Sequence, residues 1–266
     1  MFLILLLFVA YRQDEPISLD KCSYFLAAGD MKGGDLFRHK GNGTGFFIKS
    51  TDGNMYLIAN YHVLSGYSCE NDSVELKFTG LMIRLPQIGK KEPKDFTIIS
   101  GRDSVLEKKI KANSAADIVA LNVNYISKKS EINDISKFID TSYFGKKPDS
   151  IFFYGYPSKK QTKKSISERT PIEEKRYGKY FEPIPIKKTK NDSLYFDRFY
   201  KFHTAIKDIL AEPGMSGSPV FGVFKEKGFS KIQFIGVLRG QPNGLQGVMI
   251  INAREVLNAI KNAYKL

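Results

Sequence analysis

The spacing of the apolar residues limits the fold more than any other feature of the chain. They fall in short runs broken by clusters of Gly, Pro, Asn, Asp and Ser, the pattern of an all-β sandwich or barrel. Gly45 to Lys49 and Met55 to Val63 flank Ser50-Thr-Asp-Gly-Asn54, a polar turn with Asp-Gly at its centre, which predicts a hairpin. Val74 to Phe78 alternates strictly, as a half-buried strand does. Further strand-like runs are Phe96–Ile99, Ile118–Val123, Ile151–Tyr156, Val220–Phe224 and Ile232–Leu238. Only residues 252–265 read as a helix: Asn252 can cap it with Glu255 as partner, and Val256, Ala259, Ile260 and Ala263 form its apolar stripe. No internal repeat is visible.

A chain of 266 residues with 42% hydrophobic content can bury a sizeable core as one or two domains, which excludes a disordered or collagen-like chain. The longest apolar run, Phe2 to Ala10, falls short of the roughly 20 residues that span a bilayer, so no integral membrane protein is expected. Residues 1–20 instead read as a signal segment with an N-terminal extension, predicting a secreted or periplasmic protein. A buried terminal strand is the plainer alternative, and the protein would then be cytoplasmic. Export would permit a Cys22–Cys69 disulfide. With three His and no C-x-x-C, neither a structural zinc cluster nor a cofactor is expected.

The net charge of +13 is unevenly spread. Residues 157–190 hold eleven Lys/Arg against four Asp/Glu, more than half of the excess, which reads as a solvated basic insert or as a contact for anionic surfaces. No nucleic-acid motif accompanies it. A second polar stretch, centred on 131–150, reads as a linker between two β-units covering 21–130 and 151–266.

The sharpest motif is Gly214-Met215-Ser216-Gly217-Ser218-Pro219, opened by Glu212-Pro213. A nucleophilic serine needs an exposed hydroxyl on a tight turn and nearby N–H groups aimed at the substrate carbonyl oxygen, and Gly214 permits that approach. Ser216 sits in the G-x-S-G frame and Ser218 does not. A serine needs a base to attack an amide. His62, closing the run Ile58-Ala-Asn-Tyr-His-Val63, is the candidate; His39 lies in a charged segment, and His203 reads as structural. Asp117 opens the apolar run Ala115 to Val123, where burial is costly unless a histidine N–H or similar donor meets it. Asp95 and Asp103 read as surface charges.

In this order, together with Gly43-Thr-Gly-Phe46, Phe153-Tyr-Gly-Tyr-Pro157 and the terminal helix, the motifs resemble the chymotrypsin-like serine peptidase family, in its bacterial HtrA-like and glutamyl-endopeptidase-like branches. The resemblance covers Phe37 onward apart from the basic insert, and implies two antiparallel six-stranded β-barrels with a C-terminal helix, the cleft lying between the barrels. It implies a serine endopeptidase acting on protein or peptide substrates: Ser216 as nucleophile, His62 as general acid/base, Asp117 as orienter, and the Gly214 and Ser216 N–H groups as oxyanion hole. By the same resemblance Leu210 falls at the base of the substrate pocket, and Leu238, Arg239 and Gly240 on its wall. Arg239 would either draw acidic side chains or point to solvent. Met215 replaces the acid that pairs with a new N-terminus in animal relatives, so activation by that route is not expected; nor is a following PDZ-like domain. A catalytically silent binding module using the basic insert is the competing expectation.

Overall fold

The structure is a computed structural model that describes residues 19–32, 36–66, 78–85, 94–100, 116–127, 131–158, 174–178, 203–207, 209–241 and 247–264. Two antiparallel six-stranded sheets make up most of it. The first contains β1 (Tyr24–Lys32), β2 (Leu36–Lys49), β3 (Met55–Asn60), β4 (Gly80–Leu85), β5 (Lys94–Ser100) and β6 (Ile118–Asn122), in spatial order β5-β4-β1-β2-β3-β6. The second contains β7 (Ser150–Gly155), β8 (Glu174–Gly178), β9 (His203–Lys207), β10 (Pro219–Glu226), β11 (Phe229–Gly240) and β12 (Gly247–Asn252), in order β8-β7-β10-β11-β12-β9. Among the described residues the α-helices are α1 (Tyr61–Ser65), α2 (Asn124–Ser127) and α3 (Ala253–Tyr264), with short 3-10 turns at Leu19–Cys22, Ser136–Phe138 and Thr141–Tyr143.

Numbered within its own half, the first sheet runs 5-4-1-2-3-6 and the second 2-1-4-5-6-3. Both are the ring 1-2-3-6-5-4, opened at different joints: between β5 and β6 in one, between β8 and β9 in the other. Among the described residues neither ladder closes on itself, so the expected barrels are met as two open six-stranded sheets.

Side chains alternate along a strand, and in β3, β6, β7 and the second half of β2 both faces are buried. Phe47 on β2, Met55, Leu57 and Ala59 on β3, and Val119 and Leu121 on β6 fill the core of the first sheet. Their neighbours Phe46, Ile48, Tyr56, Ile58, Ile118 and Ala120 face the other way. There they meet Phe152, Phe221, Phe234 and Val237 of the second sheet, in a core the two halves share. Ile151, Phe153, Val220, Leu238, Val248 and Ile250 fill the second sheet's own core. Double-sided burial explains why so many runs are continuously apolar.

The predicted hairpin is present: Ser50 N–H donates to Asn54 O (2.9 Å) and Gly53 N–H to Ser50 O (2.9 Å), with Gly53 at φ +87°. Helix α3 begins at Ala253 and lays Val256, Ala259 and Ile260 into the shared core, against β6 and β11. Asn252 ends β12, and its Oδ1 accepts from the Thr204 hydroxyl (2.7 Å). The expected linker is not loose: Ile135 N–H donates to Phe47 O (3.0 Å), and the Phe138 ring packs edge-on against Phe221. Within the basic insert, Glu174–Gly178 pairs with β7 as β8, where a solvated loop was the plain expectation. The N-terminal segment 1–18, Val74 to Lys77 of the alternating run, Asp103, Cys69 and most of 157–190 lie outside the described residues. So, therefore, does any pairing of Cys69 with Cys22, which is buried. Among the described residues no helix is long and apolar enough to cross a membrane.

Candidate active site

Strand β3 stops at Asn60, and the chain turns into the short helix α1, which Gly66 ends at φ +72° by donating its N–H to His62 O (3.0 Å). His62 is thus carried on a helical turn beyond the strand where its sequence placed it. Fifty-five residues later Asp117 precedes β6 in the left-handed region, φ +58°. Such a backbone costs on the order of 1–3 kcal/mol, although Asp tolerates it better than most residues. What holds it is a set of bonds to the His62 segment: Asp117 O accepts from Tyr61 N–H (3.2 Å) and Asn60 Nδ2 (3.0 Å).

The side chains join as well. Asp117 Oδ2 lies 2.8 Å and Oδ1 3.2 Å from His62 Nδ1, and Oδ1 also accepts from the His62 backbone N–H (3.0 Å). An ionised carboxylate only accepts, so the pairing puts the ring proton on Nδ1 and leaves Nε2 as an acceptor. Asp117 is fully buried, whereas the His62 side chain is 22% exposed. Burial alone would push the Asp117 carboxyl up. The His62 ring opposes this by charge and hydrogen bond, the Arg239 guanidinium and the His62 N–H add to it, and together they outweigh burial and hold Asp117 below the ordinary carboxylate range.

Ser216 is presented by two successive turns. In the first, Met215 N–H donates to Glu212 O (3.1 Å), with Pro213 at the second position and Gly214, φ +92°, at the third. In the second, Ser218 N–H donates to Met215 O (3.1 Å), with Gly217, φ +92°, at the third position. Glycine with positive φ at that place is the signature of type II turns. Crowding reinforces the choice: a Cβ on Gly214 would sit 2.6 Å from Tyr156 O, and one on Gly217 would overlap Thr44 O. Among the described residues the Gly214 and Ser216 N–H groups donate to no protein acceptor. The structure also separates the two serines. Ser218 is fully buried and donates to Met215 O (2.6 Å), whereas Ser216 is only half-buried.

Thr44, from the Gly43-Thr-Gly-Phe46 segment, ties this loop to the first sheet. Its N–H donates to Ser216 O (2.8 Å), its hydroxyl donates to Gly214 O (3.0 Å), and that hydroxyl accepts from Tyr156 N–H (3.1 Å). A Cβ on Gly217 would lie 3.6 Å from Asn60 N, two residues before His62. The serine loop therefore abuts the histidine turn. The Ser216 hydroxyl itself donates to Arg239 O (2.9 Å), and no bond between it and His62 is present. The acid and the imidazole are thus joined directly, and the hydroxyl reaches them through Thr44, Asn60 and Arg239.

Of the expected pocket residues, Leu210 is 59% exposed and Leu238 is buried in the core of the second sheet. Gly240 borders Ser216, since a Cβ there would meet Ser216 Oγ at 3.5 Å. Arg239 is the correction: it neither points to solvent nor stands open to a substrate. Only 6% exposed, it turns inward with Nε 3.3 Å from Asp117 Oδ2. Asp95, expected as a surface charge, is held by a two-pronged pair with Arg84 (2.7 and 2.8 Å). His39 is exposed on β2, and His203 opens β9. The sequence reading missed Thr44 and Asn60 as parts of the site, although both lie in motifs it singled out. Compared with family models and with curated proteins, the chain matches none.

Proposed function

We propose that the protein is a serine endopeptidase that hydrolyses peptide bonds through an acyl-enzyme. The observation that carries this reading is the buried carboxylate bonded to both the ring and the backbone N–H of His62, beside a serine on paired glycine turns. The reading requires the Ser216 hydroxyl to leave Arg239 O for His62 Nε2 when substrate binds; such bonds are often unformed before substrate arrives. His62 then accepts the hydroxyl proton as Oγ attacks the scissile carbonyl, and Asp117 holds the imidazole and steadies its charge. The unpartnered Gly214 and Ser216 N–H groups would receive the developing oxyanion, each worth roughly 10²–10³ in rate. His62 returns the proton to the leaving amine, and water releases the acyl group by the same steps in reverse. The ring order common to both sheets supports the further reading that each curls into a barrel, with the site between them. Export through the N-terminal segment and contact with anionic surfaces through 157–190 belong to the same proposal, on sequence grounds alone.

One observation favours a second reading, a catalytically silent module: the Ser216 hydroxyl bonds to Arg239 O and not to His62. A peptide library incubated with purified protein separates the two. The account expects cleavage by the parent chain and none by Ser216→Ala; equal cleavage by both would remove Ser216 from the chemistry, and none by either would favour the silent module.

A further inference from the structure

Arg239 touches both ends of the proposed triad. Its side chain comes from the second sheet, yet its Nε lies 3.3 Å from Asp117 Oδ2, in the first. The two side chains are 6% and 0% exposed, so the contact is shielded from water. On its other side, Nη1 donates to Met249 Sδ (3.4 Å). Its carbonyl oxygen meanwhile accepts the Ser216 hydroxyl (2.9 Å).

A local irregularity of the ladder accompanies this double contact. Leu238 pairs with Ile250 and Gly240 with Met249, which leaves Arg239 as the extra residue of a bulge between β11 and β12. Bulges re-aim a side chain and release a backbone group from the ladder, and they gather beside active sites. Alternation along β11 gives the direction: Val237 packs into the shared core with Ala116 and Ile118, the residues flanking Asp117, while Leu238 points into the second sheet. Arg239 falls on the Val237 side.

We propose that Arg239 is a positioning residue that clamps the Asp117 carboxylate across the two sheets with its guanidinium and parks the Ser216 hydroxyl on its carbonyl. One residue thereby sets the geometry of acid and nucleophile together. It also supplies a fixed cation, so the buried carboxylate is compensated when His62 is neutral. An Arg committed in this way is withdrawn from substrate recognition, and any preference for acidic substrates has another source. The inference rests on the peptidase reading for its kinetic part only; the clamp itself can be measured in an inactive chain.

The test has two arms. In the kinetic arm, Arg239→Met lowers kcat at least tenfold with KM within twofold, and Arg239→Lys recovers part of the loss. A raised KM with kcat kept, accompanied by a changed preference between acidic and neutral peptides, would return Arg239 to the pocket. In the structural arm, NMR of the full chain follows the Arg239 Nε–H resonance, which moves on Asp117→Asn, and urea midpoints of Asp117→Asn, Arg239→Met and the double variant are non-additive. An unmoved resonance with additive midpoints would overturn the clamp. If Arg239→Met does not fold, the resonance in the Arg-containing chains still decides. Absence of all hydrolysis with the clamp intact would count against the peptidase reading alone.

Discussion

The two sheets share one strand ring and use it differently. The first presents charge: His62 on a helical turn after β3 and Asp117 on a strained residue before β6, locked together by bonds between ionisable and polar groups. The second presents a hydroxyl, set by two glycine turns whose shape is fixed by crowding against Thr44 and Tyr156. Apart from the Arg239 guanidinium, which reaches Asp117 from the second sheet, one half thus builds its share of the site from electrostatics and the other from sterics. Substitutions in the two halves should fail in different ways.

The largest effect is expected on the electrostatic side. Asp117→Asn keeps the shape but alters the donor pattern facing Nδ1, and kcat should fall by roughly 10³–10⁴. The change also has a pH signature. Because Asp117 is held below the usual 3.8, it stabilises the fold above that value, and the contribution is lost as the pH falls through the lowered one. Urea unfolding between neutral and acid pH should therefore show the gap between the parent and Asp117→Asn narrowing toward low pH. A gap that widened would contradict the assignment of charge.

On the steric side, Gly217→Val should cost stability first, on the order of 3 kcal/mol or more, since it adds a strained φ to an overlap with Thr44 O. A chemical-denaturation midpoint checks this; a midpoint equal to that of the parent would mean that the turn relaxes freely. Thr44→Val is the mildest of the set. It removes the hydroxyl that bonds Gly214 O and Tyr156 N–H, at about 1–3 kcal/mol, and loosens the seam between the halves. The fold should survive with kcat reduced and the His62 Nδ1–H resonance unchanged, which would place the damage on the serine side. A displaced resonance would show instead that the two halves do not fail independently.

Much of this was legible in the sequence because it rests on local rules. Asp52-Gly53 marks the hairpin, the helical stripe marks α3, and a carboxylate at the mouth of an apolar run announces a buried partner, which proves to be His62. What escaped depends on direction and not on composition. The repeated strand ring leaves no trace as a sequence repeat, because each half satisfies the same topology with different residues. Arg239 carried the right charge for either a pocket or a surface. Only the alternation from Val237 and the bulge at Leu238/Gly240 reveal that it turns toward Asp117. Thr44, between two glycines, offered no charge to notice, yet its short side chain and N–H join the sheets.

The central claim is that Ser216, and not its neighbour Ser218, is an activated hydroxyl. Mass spectrometry of the chain after treatment with a fluorophosphonate probe tests it most directly. The account predicts a single adduct on Ser216, formed at neutral pH and abolished by His62→Ala. A chain that stays unlabelled, or one that keeps its adduct when His62 is removed, would contradict it.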